Sequence, residues 1–180
     1  VLPEAEDIRI VEAAAIALRE QYAKIILLGN EEKITRIAKE NNFDISKASI
    51  INPKISSKHK MYAEKLYELR KEKGMTLEKA EELVSDEVYF GMMMVKNEEA
   101  DGLVSGAIHS TSDTLRPALQ ILKTAPNTKL VSAFFIMVVP NCEYGEKGTF
   151  VFGDCGLNEN PNAEELAEIA KSSSQSFEQL

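Results

Sequence analysis

The segment Ser105 to Pro117, SGAIHSTSDTLRP, gathers groups that could bind an anion. Gly106 permits a tight turn, and the hydroxyls of Ser110, Thr111 and Ser112 meet the expected start of a helix. Free backbone N–H groups and the macrodipole at a helix N-terminus attract negative charge, and hydroxyls add donors. Arg116 offers a planar fork to phosphate or carboxylate. On these grounds the segment is a phosphate or carboxylate cradle. The plainer account is helix capping by Ser or Thr, with Arg116 on a solvated face. No GxxxxGK[ST] is present, so it is not a Walker loop. His109 precedes the hydroxyls and could donate to an oxyanion or tune a proton transfer; the plainer account is a structural turn histidine. Asp113 sits at the same helix start, where the plainer account is a favourable acid beside the first turn.

Other chemistry-bearing residues are more scattered. Arg70 to Lys73 (RKEK) ends a helix before Gly74, where basic residues suit the helix C-terminus. The alternative is that Arg70 reaches a ligand phosphate. Cys142, in PNCEYGEKG, has acids on its C-terminal side, which do not favour a thiolate, so no nucleophile role is expected. Cys155 is expected to be packed, and His59, among Ser57, Lys58 and Lys60, to face solvent. Two histidines and two cysteines without short ligand spacing predict no zinc site.

The elements that must carry these groups follow from apolar periodicity. Helices are expected over 6–20, 31–41, about 57–72, from Thr76 onward, within 86–97 and from Ala163 to the end. Gly74 is the expected cap of the helix over 57–72, Thr76 the N-cap of the next. Pro117 is tolerated in a first turn, which places one more helix at about Thr114 to Lys123. Met92, Met93 and Met94 read as core filler. Strands are expected at Lys24–Leu28, Ala48–Ile51, Ala100–Ser105 and Lys129–Val139, with Gly148–Gly153 pairing with the last as a hairpin. Alternating helices and short buried strands predict an α/β layer fold with a mainly parallel sheet. Ala125-Pro126-Asn127 is the best boundary between two subregions.

Composition narrows the classes. Acids (29) outnumber bases (21), the formal net charge is −8 and the isoelectric point is near 5.0. That argues against a general nucleic-acid binder while leaving room for a local cationic pocket. The longest apolar run, Leu130 to Pro140, falls short of the roughly 18–20 residues of a membrane span. No basic and apolar leader opens the chain. Two cysteines make no disulfide framework, so a reducing, cytoplasmic setting is expected. Valine at position 1 and a final helical pattern without a Gly or Pro cap are expected of a fragment of a longer protein.

Taken together, the motifs resemble one family closely. ADGLVSGAIHSTSDTLRPALQILKT (Ala100 to Thr124), VLPEAEDIRI at the start, ILLGN at Ile26 to Asn30, LRKEKGMT at Leu69 to Thr76 and FGDCGLNENPNAEELAEIAKSS at Phe152 to Ser173 are similar to phosphotransacetylases, the phosphate acetyl/butyryltransferase family. The resemblance covers essentially the whole chain. It implies an acyltransferase interconverting acetyl-CoA plus phosphate with acetyl phosphate plus CoA, by direct thiolate attack in a ternary complex. CoA is then a substrate, and no bound cofactor or metal is implied. It also implies a three-layer α/β/α fold like that of isocitrate and isopropylmalate dehydrogenases, with two domains, a cleft active site and a homodimer. Here residues 1–126 would be the first domain, without its returning part, and 127–180 the start of a truncated second.

By the same resemblance, Arg116 matches the TLRP arginine and Arg70 the arginine of LRKxKGMT, both implicated in binding CoA. Ser110 and Thr111 match the HST hydroxyls lining the cleft, with His109 beside them. Cys142 matches a cysteine near the active site that is not a required nucleophile. The family's late Ser-Arg pair and nearby Asp are not among these 180 residues. The chain alone is therefore expected to be inactive or nearly so, and a longer parent active. The alternatives are a phosphate butyryltransferase and a noncatalytic CoA-binding or regulatory module.

Overall fold

The computed structural model describes residues 1–126 and 128–179. The chain is a mixed α/β protein of two compact units, Val1–Lys123 and Thr124–Leu180. The expected boundary at Ala125-Pro126-Asn127 includes Asn127, and the expected final helix runs to Leu180; both residues lie outside the described ones.

The first unit is organised by a short parallel ladder. Strand β1 (Ile26–Leu28) pairs in parallel with β2 (Ser49–Ile51), with Leu27 opposite Ile50. Leu2 extends the ladder by a parallel bridge to Leu27. Helices α1 (Ile8–Arg19) and α2 (Glu31–Glu40) are capped by Asp7 and Asn30, whose side chains accept from the N–H of Arg9 and Lys33. The expected start at residue 6 moves inward because the Asp7 carboxylate takes the cap.

The two faces of β1 are buried in different cores, as expected of a parallel strand. Leu27 joins Val11, Ala14, Ile34 and Ala38 beneath α1 and α2. Leu28 joins a larger cluster built from α3 (His59–Arg70), α4 (Leu77–Val84), α5 (Glu87–Lys96) and α6 (Thr111–Ile121). Met92, Met93 and Met94 are buried there. Gly91 lets α5 approach closely, since a Cβ at that position would come within 2.5 Å of the Leu103 side chain. A short 3₁₀ turn, Lys71–Lys73, follows α3 and ends at Gly74 with φ +80°, the left-handed cap expected there. Thr76 caps α4 through the Lys79 N–H.

Three expected elements differ. The helix expected at about Thr114 to Lys123 is α6, which begins three residues earlier because Ser110 accepts from the Asp113 N–H and closes the first turn. Pro117 thus lies inside α6 and not in its first turn, and it cannot donate to the Asp113 carbonyl. Ala100–Ser105 is not a regular strand; it touches the ladder through Val1 N–H to the Gly102 carbonyl (2.8 Å) and Val104 N–H to the Val1 carbonyl (3.1 Å). In the second unit the strand expected over Lys129–Val139 is confined to β3 (Phe134–Val138).

Strand β3 pairs antiparallel with β4 (Thr149–Gly153), with Ile136 opposite Val151, so the expected hairpin forms. Helix α7 (Ala163–Gln179) packs on β4. It opens with a reciprocal capping box: Asn162 accepts from the N–H of Glu164 and Glu165, and Glu165 accepts from the N–H of Asn162. Cys155 is exposed rather than packed. It sits in a turn held by Asp154, which accepts from the N–H groups of Gly156 and Leu157, each at 2.8 Å.

Candidate functional site

Two arginines far apart in sequence both act electrostatically on one tyrosine. Arg70 ends α3, Tyr89 lies in α5, and Arg116 and Gln120 stand one turn apart on α6. The Tyr89 hydroxyl donates to Gln120 Oε1 at 3.1 Å, which ties α5 to α6. Burial pushes that hydroxyl up from its ordinary pKa of 10, while the positive charges of Arg116, Arg70 and Lys79 pull it back and Asp86 adds to the rise. Tyr89 therefore feels three positive charges on an otherwise acidic chain.

The two arginines are uncommitted. Among the described residues neither takes part in an ion pair, whereas Lys79 is paired with Glu82 at 2.8 Å. Arg116 is exposed and Arg70 half-buried. The Arg70 Nε is buried with no hydrogen-bond partner. A buried N–H left unpaired costs about 1–3 kcal/mol, more when charged, so a guanidinium held this way is suited to an acceptor from outside the protein.

The segment upstream of α6 does something other than what its sequence suggests. Its backbone amides do cradle a carboxylate, but the carboxylate is the chain's own Glu4. Glu4 Oε2 accepts from the N–H of Gly106 (3.0 Å) and Ala107 (2.8 Å). Its Oε1 accepts from the N–H of Ile108 and His109 and from His109 Nδ1, each at 2.8 Å. Gly106 adopts φ +116°, a torsion that a side chain would strain, and this turns the amides towards Glu4. Arg9 closes the loop from its other side by donating to the Ala107 carbonyl at 2.9 Å. The expectation that these amides hold a substrate anion is corrected accordingly. No local pattern marks Glu4, since the contact spans about a hundred residues.

Burial works against the Glu4 charge, but the backbone donors of His109, Ile108 and Ala107 and the His109 side chain outweigh it, holding the carboxyl at about 2 instead of 4.5. A carboxyl depressed in the folded state stabilises fully above its unfolded value and loses that contribution as pH falls towards the folded value. The wild-type chain is thus expected to lose stability between pH 4.5 and about 2. Urea midpoints measured across that range should fall more steeply for wild type than for Glu4→Gln; parallel curves would remove Glu4 from the acid response.

The hydroxyls are partly committed to local structure. Ser110 Oγ accepts from the Asp113 N–H at 3.2 Å and donates to Asp113 Oδ2 at 2.7 Å, so it acts as the helix cap. The Ser110 hydroxyl donation, with help from the Arg116 charge, holds the Asp113 carboxyl below its usual range. Thr111 is exposed at the first position of α6. His109 is half-buried beside Glu4, its side chain 24% exposed. His59 is not free in solvent as expected, because its Nε2 lies 3.0 Å from Ser85 Oγ. Cys142 is half-buried in the second unit, in the β3–β4 connection. Among the described residues no group of three or more His, Cys, Asp or Glu is placed to hold a metal ion, and no helix is long and apolar enough to cross a membrane.

Known proteins with this architecture carry the same arrangement of sequence. The chain is 57% identical over 180 residues to a phosphate acetyltransferase of Acetivibrio thermocellus, covering 100% of this chain and 54% of the relative. It is 44% identical over 177 residues to the phosphate acetyltransferase of Escherichia coli, covering 98% of this chain and 24% of that protein. Among solved structures, the EutD phosphotransacetylase from Staphylococcus aureus superposes with a TM-score of 0.84 at 42% identity, over 97% of this chain and 51% of that one. A phosphotransacetylase from Streptococcus pyogenes gives 0.86 at 43% identity, over 94% of this chain and 50% of its own. The chain spans about half the length of the first of these relatives and of both structures. The sequence model of the phosphate acetyl/butaryl transferase family matches residues 1–180 from end to end, and the chain belongs to that family.

Proposed function

We propose that the chain forms part of an acyltransferase that interconverts acetyl-CoA plus phosphate and acetyl phosphate plus CoA, with Arg70 and Arg116 gripping the anionic substrate. The observation that carries this reading is the uncommitted guanidinium pair around Tyr89, one member of which has a buried Nε without a partner. An acidic protein must concentrate positive charge locally to hold a polyanion such as CoA, and a planar fork suits phosphate better than a point charge. Ser110 and Thr111 lie at the start of α6, the helix that carries Arg116, with His109 next to them in sequence, and the same reading gives Cys142 no nucleophilic role.

In this reading the CoA thiolate attacks the carbonyl carbon of acetyl phosphate directly. The new C–S bond forms, the bond to the phosphate oxygen breaks, and phosphate departs with the electron pair. No acyl-enzyme intervenes, and CoA is a substrate with no resident cofactor. Holding both reactants in one ternary complex converts a bimolecular encounter into a positioned one. The fold that accompanies this reading is the three-layer α/β/α architecture of the isocitrate and isopropylmalate dehydrogenases. Residues 1–126 belong to its first domain and 127–180 open its second. The enzyme is read as a cytoplasmic homodimer. The relatives named above are phosphate acetyltransferases, which favours acetyl over longer acyl groups; a methylene is worth about 1–3 kcal/mol in such a pocket.

The test is thiol release from acetyl-CoA by the complete polypeptide that carries this chain, with and without inorganic phosphate. Phosphate-dependent release, faster with acetyl-CoA than with butyryl-CoA, is the expected result. Saturable CoA binding with no phosphate-dependent release would replace the reading with that of a noncatalytic binding module.

A further inference from the structure

Glu4 spends its whole hydrogen-bonding capacity on one loop. Five donors converge on its two oxygens, from Gly106, Ala107, Ile108 and twice from His109. An ionised carboxylate only accepts, so the His109 hydrogen must sit on Nδ1. Among the described residues Nε2 has no hydrogen-bond partner, which leaves it as the ring nitrogen able to meet another group. The same loop leads directly into Ser110, the cap of α6, and α6 carries Arg116.

We propose that Glu4 is a positioning residue, a built-in anion that fills the amide nest at 106–109 and fixes both the entry to α6 and the Nδ1–H form of His109. Two consequences follow from the geometry. The nest is closed to substrate phosphate, so anion binding falls to the guanidiniums. The His109 ring is locked with Nε2 as its free acceptor. The nest and the ring form rest on the five hydrogen bonds to Glu4, and the kinetic consequence rests on the acyltransferase reading.

The experiment uses the ¹⁵N-labelled chain as wild type, Glu4→Gln and Glu4→Ala, each with and without sodium formate as a small carboxylate probe. In wild type, the His109 ring spectrum at pH 8 should show a protonated Nδ1 and a bare Nε2. In Glu4→Ala, amide exchange at 106–109 should quicken by about tenfold or more and the ring should revert to the usual Nε2–H form. Formate should restore both in Glu4→Ala, because it can enter the emptied nest. If Glu4→Ala does not fold, Glu4→Gln is the deciding variant and should lose the Nδ1–H form. An unchanged ring form and unchanged exchange in the folded variant would overturn the proposal, as would changes in Glu4→Ala that formate leaves untouched. In the complete polypeptide, Glu4→Ala should lower kcat/KM for CoA, with partial recovery in formate. Absence of turnover in wild type would strike the acyltransferase reading alone and leave the ring and exchange results to decide the role of Glu4.

Discussion

Arg116→Ala is expected to raise the KM for CoA in the complete polypeptide by about 10- to 100-fold. A hydrogen bond to a charged group is worth roughly 1.5–3 kcal/mol, and each 1.4 kcal/mol is tenfold. The fold should survive, because Arg116 is exposed and takes part in no ion pair among the described residues. Surface substitutions of that kind usually change stability by about 0.5 kcal/mol or less. Arg116→Lys should recover only part of the loss, since an ammonium cannot reproduce the planar fork. Arg70→Ala should act in the same direction. The double variant should lose less than the sum of the two, because both charges bear on the same site around Tyr89. Steady-state kinetics with CoA varied at saturating acetyl phosphate measure all four variants. An unchanged KM for Arg116→Ala would return that residue to the solvated surface.

Phe90→Ala is expected to be the most damaging single substitution in the core. Phe90 is fully buried and meets Tyr62 edge-on, with ring centroids 4.9 Å apart at 62°. Removing a buried aromatic ring costs about 3–5 kcal/mol, against a total stability of roughly 5–15 kcal/mol for a domain. The loss bears on function as well, because the cluster around Phe90 joins α3, α5 and α6. Those helices carry Arg70, Tyr89 and Arg116. Urea unfolding should show the midpoint falling sharply for Phe90→Ala and much less for Phe90→Leu. A midpoint close to wild type for Phe90→Ala would mean that this cluster does not carry the first unit.

The regular elements were legible where local chemistry decides them. The helical spacing over 31–41 forms the helix Glu31–Glu40, and the apolar run Lys24–Leu28 gives the strand Ile26–Leu28. Gly74 and Thr76 announce a cap on either side of a turn, and both perform it. The failures came where distant segments decide. Lys129 to Ser132 is as apolar as a strand in part, yet only Phe134–Val138 finds a partner in β4, and hydropathy says nothing of pairing. Pro117 marked the wrong start for α6 because a hydroxyl cap at Ser110 outweighed a proline preference. The site divided in the same way. Hydroxyls, glycine and arginine pointed to a cradle for a substrate anion, but the amides at 106–109 are filled by Glu4, about a hundred residues upstream, and among the described residues no hydroxyl or arginine donates to it. Arg70 and Arg116 were singled out by type and by resemblance to a family. Their shared neighbour, Tyr89, is a product of helix packing that no spacing encodes.

The most direct measurement is the dissociation constant for CoA in the complete polypeptide, at low and high salt, for wild type and for Arg70→Ala/Arg116→Ala. Exposed charges are screened over roughly 10 Å at 0.1 M salt, so wild-type binding should weaken as salt rises. The double variant should bind well over about 10-fold more weakly than wild type at low salt, more weakly than either single variant, and respond little to added salt. Equal affinity in the two proteins, with the same salt response, would contradict the guanidinium grip.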